Sequence, residues 1–523
     1  MKKNKFLTAE KIASYGVFAL LAIFPLIIND KYFNITATRY IFFTVSSAVF
    51  LAVCLLLKIN DIDSPAKLSK PRLSSLSSAD VSFMLFFFVA VISSFSSPYG
   101  VALTLSGAGG RRMGLLMITA MLFAYIYISK FYRIREYEFI FFGSVAAFAA
   151  VFGMLQFIGL DPLGFLEGLS ELDSVRFISF TGNINIYSSF ICLALPLAMY
   201  MFCFSEKKIN SAFWLFVSSA TFIGLMTAIS DSGYLGIGVA AVVLAVLTAR
   251  GRKTFQRFFV LVITFLISAG IFNLVWKTFG DPEHPSSIAN DIMSNPWVIA
   301  AGSIISAIII IVLNSFDFSD KFYKGIRRFI IISVISVVTV CIGLVVWFTC
   351  FDTETDLGRF AIYLRFTEKW ANGRGFCWTK LIEIFKELPL HRQLIGTGPE
   401  TLVYEMVSRY NEEMYELFGF HYDNAHNDIL QYLITVGLWG MLTYIMLVAS
   451  AVKSCIKSEN AVQRAMLLPI VAFFAQSLVN ITQPITTPLF FVFLAFSQCK
   501  PYEENTSIRH NLADTTNESD FGG

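Results

Sequence analysis

Long apolar runs separated by short polar interruptions make up most of the chain, and this pattern predicts its elements. Continuous apolar stretches fall at about 12–28, 38–57, 80–97, 113–129, 137–159, 187–204, 211–229, 232–249, 257–276, 297–314, 328–350, 426–452, 462–480 and 486–499. Runs of about 18–22 residues are long enough to cross a hydrocarbon core as helices, whereas membrane strands would show ten-residue alternation. The predicted fold class is therefore all-α, a polytopic transmembrane helical bundle of about 12–14 spans. One polar segment breaks the rhythm, from about Phe351 to Ala425. Within it, helical patterns near Cys377–Lys386 and Glu400–Phe418 and glycine joints at Gly373–Gly375 and Gly396–Gly398 predict a small folded module.

Four regions follow: an N-terminal bundle of about eleven spans over 1–350, the loop module over 351–425, about three C-terminal spans over 426–499, and a disordered tail over 500–523. Composition agrees, with 56% hydrophobic residues in 523 and a mean hydropathy of +0.65. The net charge of +3, the balance of forty basic and thirty-seven acidic residues, does not by itself suggest a nucleic-acid partner, and none is expected. The distribution of charge is more informative. Lys58, Lys67, Lys70 and Arg72, then Lys130, Arg133 and Arg135, Lys207 and Lys208, Arg250 to Arg257, Lys321 to Arg328, and Lys453, Lys457 and Arg464 all occupy alternate loops. The positive-inside rule makes those loops cytoplasmic, which puts both termini inside and 351–425 outside a cytoplasmic membrane. The opening Met-Lys-Lys-Asn-Lys and the apolar run after it lack a small-residue cleavage site and read as a retained first helix. The eight cysteines show no CxxC spacing and read as packing residues, so no metal and no cofactor is expected.

Candidate chemistry gathers where the outer loops meet the spans. His426 at the start of a span is followed by Asn427 and Asp428; it is either a general base or an interfacial cap facing water. Gly437 and Gly440 leave either a close helix-packing face or a groove for an isoprenoid chain. Arg374 between Gly373 and Gly375 fits an anion-binding loop or a solvated arginine. Arg111 and Arg112, outside against the topological bias, repeat the glycine-arginine theme, so an anionic ligand such as a diphosphate is expected at this face. Asn183 and Asn185 either donate to a ligand or cap the next helix, and Gln476, Asn480 and Gln483 either face the same cavity or bond between helices.

His426-Asn427, nine further residues, then Gly437-x-x-Gly440 resembles the H-[NSQ]-x9-G-x-x-[GTY] signature of bacterial O-antigen ligases and related lipid-linked glycan transferases and polymerases. Gly373-Arg374-Gly375-Phe-Cys-Trp378 followed by Gly396-Thr-Gly398-Pro399 is similar to that family's long external loop, and Thr181-Gly182-Asn183-Ile-Asn185 to its G-N-P-N segment. The resemblance implies a GT-C-like, metal-independent, inverting glycosyltransferase that moves a glycan from an undecaprenyl-diphosphate donor to an acceptor hydroxyl, as ligase or polymerase. It assigns His426 as base and Arg374 as a diphosphate ligand. Ser230-Asp231-Ser232-Gly233 departs from the family, which often carries an arginine in that turn. Arg111, Arg112 or Arg176 would have to replace it. The rival expectation is a lipid-linked glycan flippase or other transporter, which should carry its cations along a path within the spans.

Overall fold

The computed structural model describes residues 7–60, 76–107, 110–280 and 287–502. Lys67, Lys70, Arg72 and the tail beyond 502 lie outside the described residues. The chain starts with α1 (Ala9–Phe18), which runs on as a π and a 3-10 turn to Leu26, then α2 (Ile35–Asn60), α3 (Ser78–Phe95), the short α4 (Val101–Ser106), α5 (Leu115–Phe131) and α6 (Tyr137–Phe157). After α7 (Glu171–Ser174) come α8 (Ile184–Phe204), α9 (Lys208–Thr227), α10 (Asp231–Thr248), α11 (Arg252–Phe279), α12 (Ile288–Met293), α13 (Pro296–Ser315) and α14 (Asp320–Cys350). The loop module holds α15 (Ala361–Leu364), α16 (Trp370–Glu387), α17 (Leu390–Ile395) and α18 (Leu402–Phe418). The chain returns through α19 (Asp428–Thr435), α20 (Gly437–Lys457), α21 (Ala461–Ala465), α22 (Leu467–Ser477) and α23 (Thr487–Phe496). Eleven of these helical stretches are long and apolar enough to cross a membrane, and three shorter apolar ones complete the bundle. The protein is a polytopic helical membrane protein.

Burial orders the bundle. Helix α8 is buried along its best membrane-spanning window and α23 over all ten of its residues, so these two form the centre. A ten-residue helix is too short to cross alone. It is tolerated because the irregular stretch before it is enclosed by protein and its polar groups are met: Gln483 Oε1 accepts from Ile485 N at 2.5 Å, and Gln483 Nε2 donates to Thr486 at 2.6 Å. Helix α14 is the opposite case, with no buried residue in its apolar window.

At one end the basic loops brace one another. Arg257 donates to the carbonyl of Ser205 at 2.5 Å, Arg327 to that of Ala249 at 2.7 Å, and Arg135 pairs with Glu10 at 2.5 Å. Here also the strands β1 (Arg133–Ile134) and β4 (Lys500–Pro501) pair in parallel, which ties the first residues of the expected tail to the bundle. Strands β2 (Phe177–Ile178) and β3 (Gly182–Asn183) form a small hairpin at the other end.

That other end carries the loop module, whose own core unites Phe376, Leu381, Leu402, Met406 and Met414 with Ile434 of α19. The predicted span starting at 426 is therefore corrected. Residues 428–435 are a short helix packed into the module, and the crossing helix starts at Gly437, whose φ of +77° breaks the two apart. The backbone of the module locks onto this break, with Thr397 N donating to Ile434 O at 3.0 Å and Gly398 N to Thr435 O at 2.9 Å.

Candidate active site at the junction of loop module and bundle

His426 sits at the end of an irregular run, Tyr422 to Ala425, that α16 pins from behind. Trp378 Nε1 donates to the carbonyl of Ala425 at 3.0 Å. Asn424 then shapes the histidine twice: its Oδ1 accepts from His426 N at 2.8 Å, and its backbone carbonyl lies 3.2 Å from His426 Nδ1. A carbonyl only accepts, so this contact requires the proton on Nδ1 and leaves Nε2 with its lone pair. Nε2 has no hydrogen-bond partner among the described residues. The backbone of His426 is left-handed, φ +50°, a conformation uncommon for a non-glycine residue and typical of functional turns. Burial, with the nearby positive charges of Arg374 and Arg111, lowers its pKa to about 4, so the ring is neutral at physiological pH.

Arg374 follows two consecutive left-handed residues, Ala371 at φ +49° and Asn372 at +61°, and Gly373 at +86°. The turn fits only because Gly373 and Gly375 lack Cβ atoms, which would meet Tyr422 and the carbonyl of Thr367. One Nη of Arg374 donates to its own turn at Ala371 O, 2.6 Å, while Nε is buried and unpartnered among the described residues. Burial lowers the pKa of this guanidinium. It lines a cavity of about 440 Å³ together with Asn185, Asp231, Tyr363 and Asn372. A larger cavity of about 840 Å³ shares Asp231, Tyr363 and Asn372 and adds Arg359, Arg365 and Lys369. The Tyr422 ring stands perpendicular to His426 with centroids 6.1 Å apart, and its hydroxyl adjoins Gly373, so one aromatic side chain separates histidine and arginine. His426 itself lines neither cavity.

The other expected site residues take several places. Arg111 forms a bidentate ion pair with Asp423 rather than facing the cavity of Arg374. Arg112 turns away, its guanidinium 5.6 Å from the centroid of Tyr40. Arg176 lines a separate cavity, divided from that of Arg374 by Ile184 and Ile229, which line both. None of these three joins Arg374 in its cavity. Asn427 is a helix cap, its Oδ1 accepting from Ile429 N at 2.9 Å and Leu430 N at 3.1 Å. Asn183 caps α8 by accepting from Asn185 N at 2.9 Å, whereas Asn185 lines the Arg374 cavity and accepts from Ser230 Oγ at 2.8 Å. Gln476 and Asn480 bond between helices, to Ser189 at 3.0 Å and to Asn185 O at 2.9 Å. Gly437 and Gly440 leave no groove. A Cβ on Gly437 would run into the backbone of Ile395 and Gly396, and one on Gly440 into Val436, so both serve close packing.

Asp231 does line the Arg374 cavity, and it is engaged. One carboxylate oxygen accepts from Ala289 N at 3.2 Å and the other from the hydroxyl of Tyr363. Sequence reasoning passed over Tyr363, Asn424 and Asp423. Only the last two carried a signal, a cluster of polar residues immediately before His426.

Residues 294–445 match the family model described as O-Antigen ligase. The protein carries an O-antigen ligase domain. The match takes in α13, α14, the loop module, Arg374, His426 and the paired glycines. No curated protein matches this chain. With its membrane helices, the domain makes this a multi-pass membrane protein of glycan-ligase type and a glycosyltransferase-like enzyme of polysaccharide biosynthesis.

Proposed function

We propose that the protein transfers a glycan from an undecaprenyl-diphosphate donor to an acceptor hydroxyl on the outer face of the cytoplasmic membrane, joining either finished chains or repeat units. The observation that carries this reading is the placement of His426, with Nδ1 held by the Asn424 carbonyl and Nε2 unpartnered among the described residues, across the Tyr422 ring from Arg374, whose Nε is buried and unpartnered among the described residues. In the reaction, Nε2 takes the acceptor's hydroxyl proton as the acceptor oxygen bonds to the anomeric carbon. The bond from that carbon to the diphosphate oxygen breaks, and the polyprenyl diphosphate leaves with the electron pair. Arg374 stabilises the negative charge, with the cations of the adjoining cavity behind it. One displacement inverts the anomeric carbon, and the scheme uses guanidinium charge where other transferases use a metal.

His426→Ala should abolish transfer from purified lipid-linked donor while the protein still inserts and folds; full transfer by that variant refutes the assignment. The outward placement of the loop module rests on the basic loops at the opposite end. A cysteine at Tyr415, 65% exposed, should react with an impermeant maleimide on intact cells.

A further inference from the structure

Beyond the Arg374 cavity lies a third space on the same end of the bundle, of about 370 Å³, between the end of α6, the β2 strand and the end of α11. Its volume is within the roughly 300–1,000 Å³ of small-molecule sites. Its lining mixes chemistries. Trp276 lines it, backed by Phe157 at 5.9 Å with near-parallel planes. Arg176 lines it too, exposed, with no ion-pair partner for its guanidinium among the described residues. The backbone of Arg176 is tied on both sides, its N–H donating to Asp173 O and its carbonyl accepting from Ile184 N, each at 2.9 Å. A long cation on a fixed backbone and a supported indole thus line one cavity.

A lipid tail would not use such a lining. The protein has a contrasting space, about 410 Å³ between α10, α11, α13 and α14, whose walls are hydrocarbon and aromatic side chains alone. A pyranose ring has an apolar C–H face, which stacks on an indole, and a rim of hydroxyls, which accept from a guanidinium. The position also fits. Ile229 lines this cavity, the Arg374 cavity and the larger cationic one, so a single residue is the ridge between all three. Its φ of +45° is an outlier for a β-branched side chain, the kind of strain that surrounding structure must hold in place.

We infer that Trp276 and Arg176 form a glycosyl-binding subsite, which seats a pyranose ring of the glycan one ridge away from the diphosphate compartment. The inference rests on the glycan-transfer reading above. The glycan is that of the donor or of the acceptor, and the two share this chemistry.

The test uses the full chain in detergent. Glycan released from the host's lipid carrier by mild acid is labelled at its reducing end and titrated against wild type, Trp276→Ala, Trp276→Phe and Arg176→Ala. Undecaprenyl diphosphate without sugar is titrated in parallel. Trp276→Ala should weaken glycan binding by about tenfold, the size of one well-stacked aromatic contact, with Trp276→Phe between it and wild type. Binding of the sugar-free lipid should be unchanged in all three variants and weakened in Arg374→Ala. In the transfer assay, a raised KM for donor assigns the subsite to the donor glycan, and a raised KM for acceptor assigns it to the acceptor. Equal glycan affinity in wild type, Trp276→Phe and Arg176→Ala overturns the subsite, and the two mild variants keep that outcome readable if Trp276→Ala does not fold. Failure of the transfer reading appears elsewhere, as activity retained by His426→Ala.

Discussion

Arg111 and Asp423, 312 positions apart, meet in a two-pronged ion pair with Nε 2.7 Å from Oδ2. Asp423 is followed at once by Asn424, the residue that orients His426, so this pair fastens the histidine's loop to the turn between α4 and α5. An arginine expected to face a diphosphate instead pairs with a carboxylate three residues before His426. The fork geometry matches a carboxylate, which a lysine could not reproduce.

Arg111→Ala and Asp423→Asn should each destabilise the protein, and the double variant should lose less than the sum. A coupling of about 1–2 kcal/mol is expected for a bidentate pair at a partly exposed site. Denaturation of the four proteins in one detergent measures it, and a coupling near zero would mean that the pair does not fasten the loop.

The same pair bears on pH dependence. Burial first, then the charges of Arg374 and Arg111, depress the His426 pKa to about 4, below the 6.5 of a free imidazole. The neutral form, which accepts a proton, therefore persists as pH falls and is lost only near 4. The acid limb of kcat/KM should lie there, and Arg111→Ala, by removing a positive charge, should move it upward. An acid limb at 6.5 in the wild type would contradict an enclosed, neutral histidine.

Much of this arrangement was legible in the sequence. Apolar run lengths located the helices because lipid leaves a backbone few alternatives, and the match over 294–445 agrees with the resemblance read from His426, Gly437 and Gly440. The break at Gly437 was not legible. Residues 428–435 are as apolar as a span, and only tertiary contact with Thr397 and Gly398 shows that they belong to the loop module. The division of the arginines was hidden for a similar reason. Arg111, Arg112 and Arg176 look alike in one dimension, and their fates depend on Asp423, Tyr40 and Ile229, partners that no local pattern connects to them.

Gly437→Ala should be costly. The added Cβ must occupy a left-handed conformation, about 1–2 kcal/mol, and also displace the backbone at Ile395 and Gly396, about 1–3 kcal/mol. The loop module would lift from the head of α20, so transfer activity should fall with stability. Wild-type melting of Gly437→Ala in detergent would show that the two backbones are not packed as closely as described.

Asp231 brings a negative charge into the cavity of Arg374, where a diphosphate is expected, yet the carboxylate also secures Tyr363 and the start of α12. These two roles separate by substitution. Asp231→Asn removes the charge but keeps an oxygen that accepts from Tyr363 or from Ala289 N, so the cavity should persist while repulsion of the donor is relieved. Binding of undecaprenyl diphosphate should tighten several-fold, and more at low salt, because the gain is electrostatic. Asp231→Ala removes both functions; α12 and Tyr363 lose their anchor, and the electrostatic gain should be offset by a loosened wall. Titration of the sugar-free lipid against wild type and the two variants at low and high ionic strength measures both effects. Weaker binding by Asp231→Asn than by wild type would mean that the carboxylate, through Tyr363, shapes the compartment more than its charge opposes the ligand.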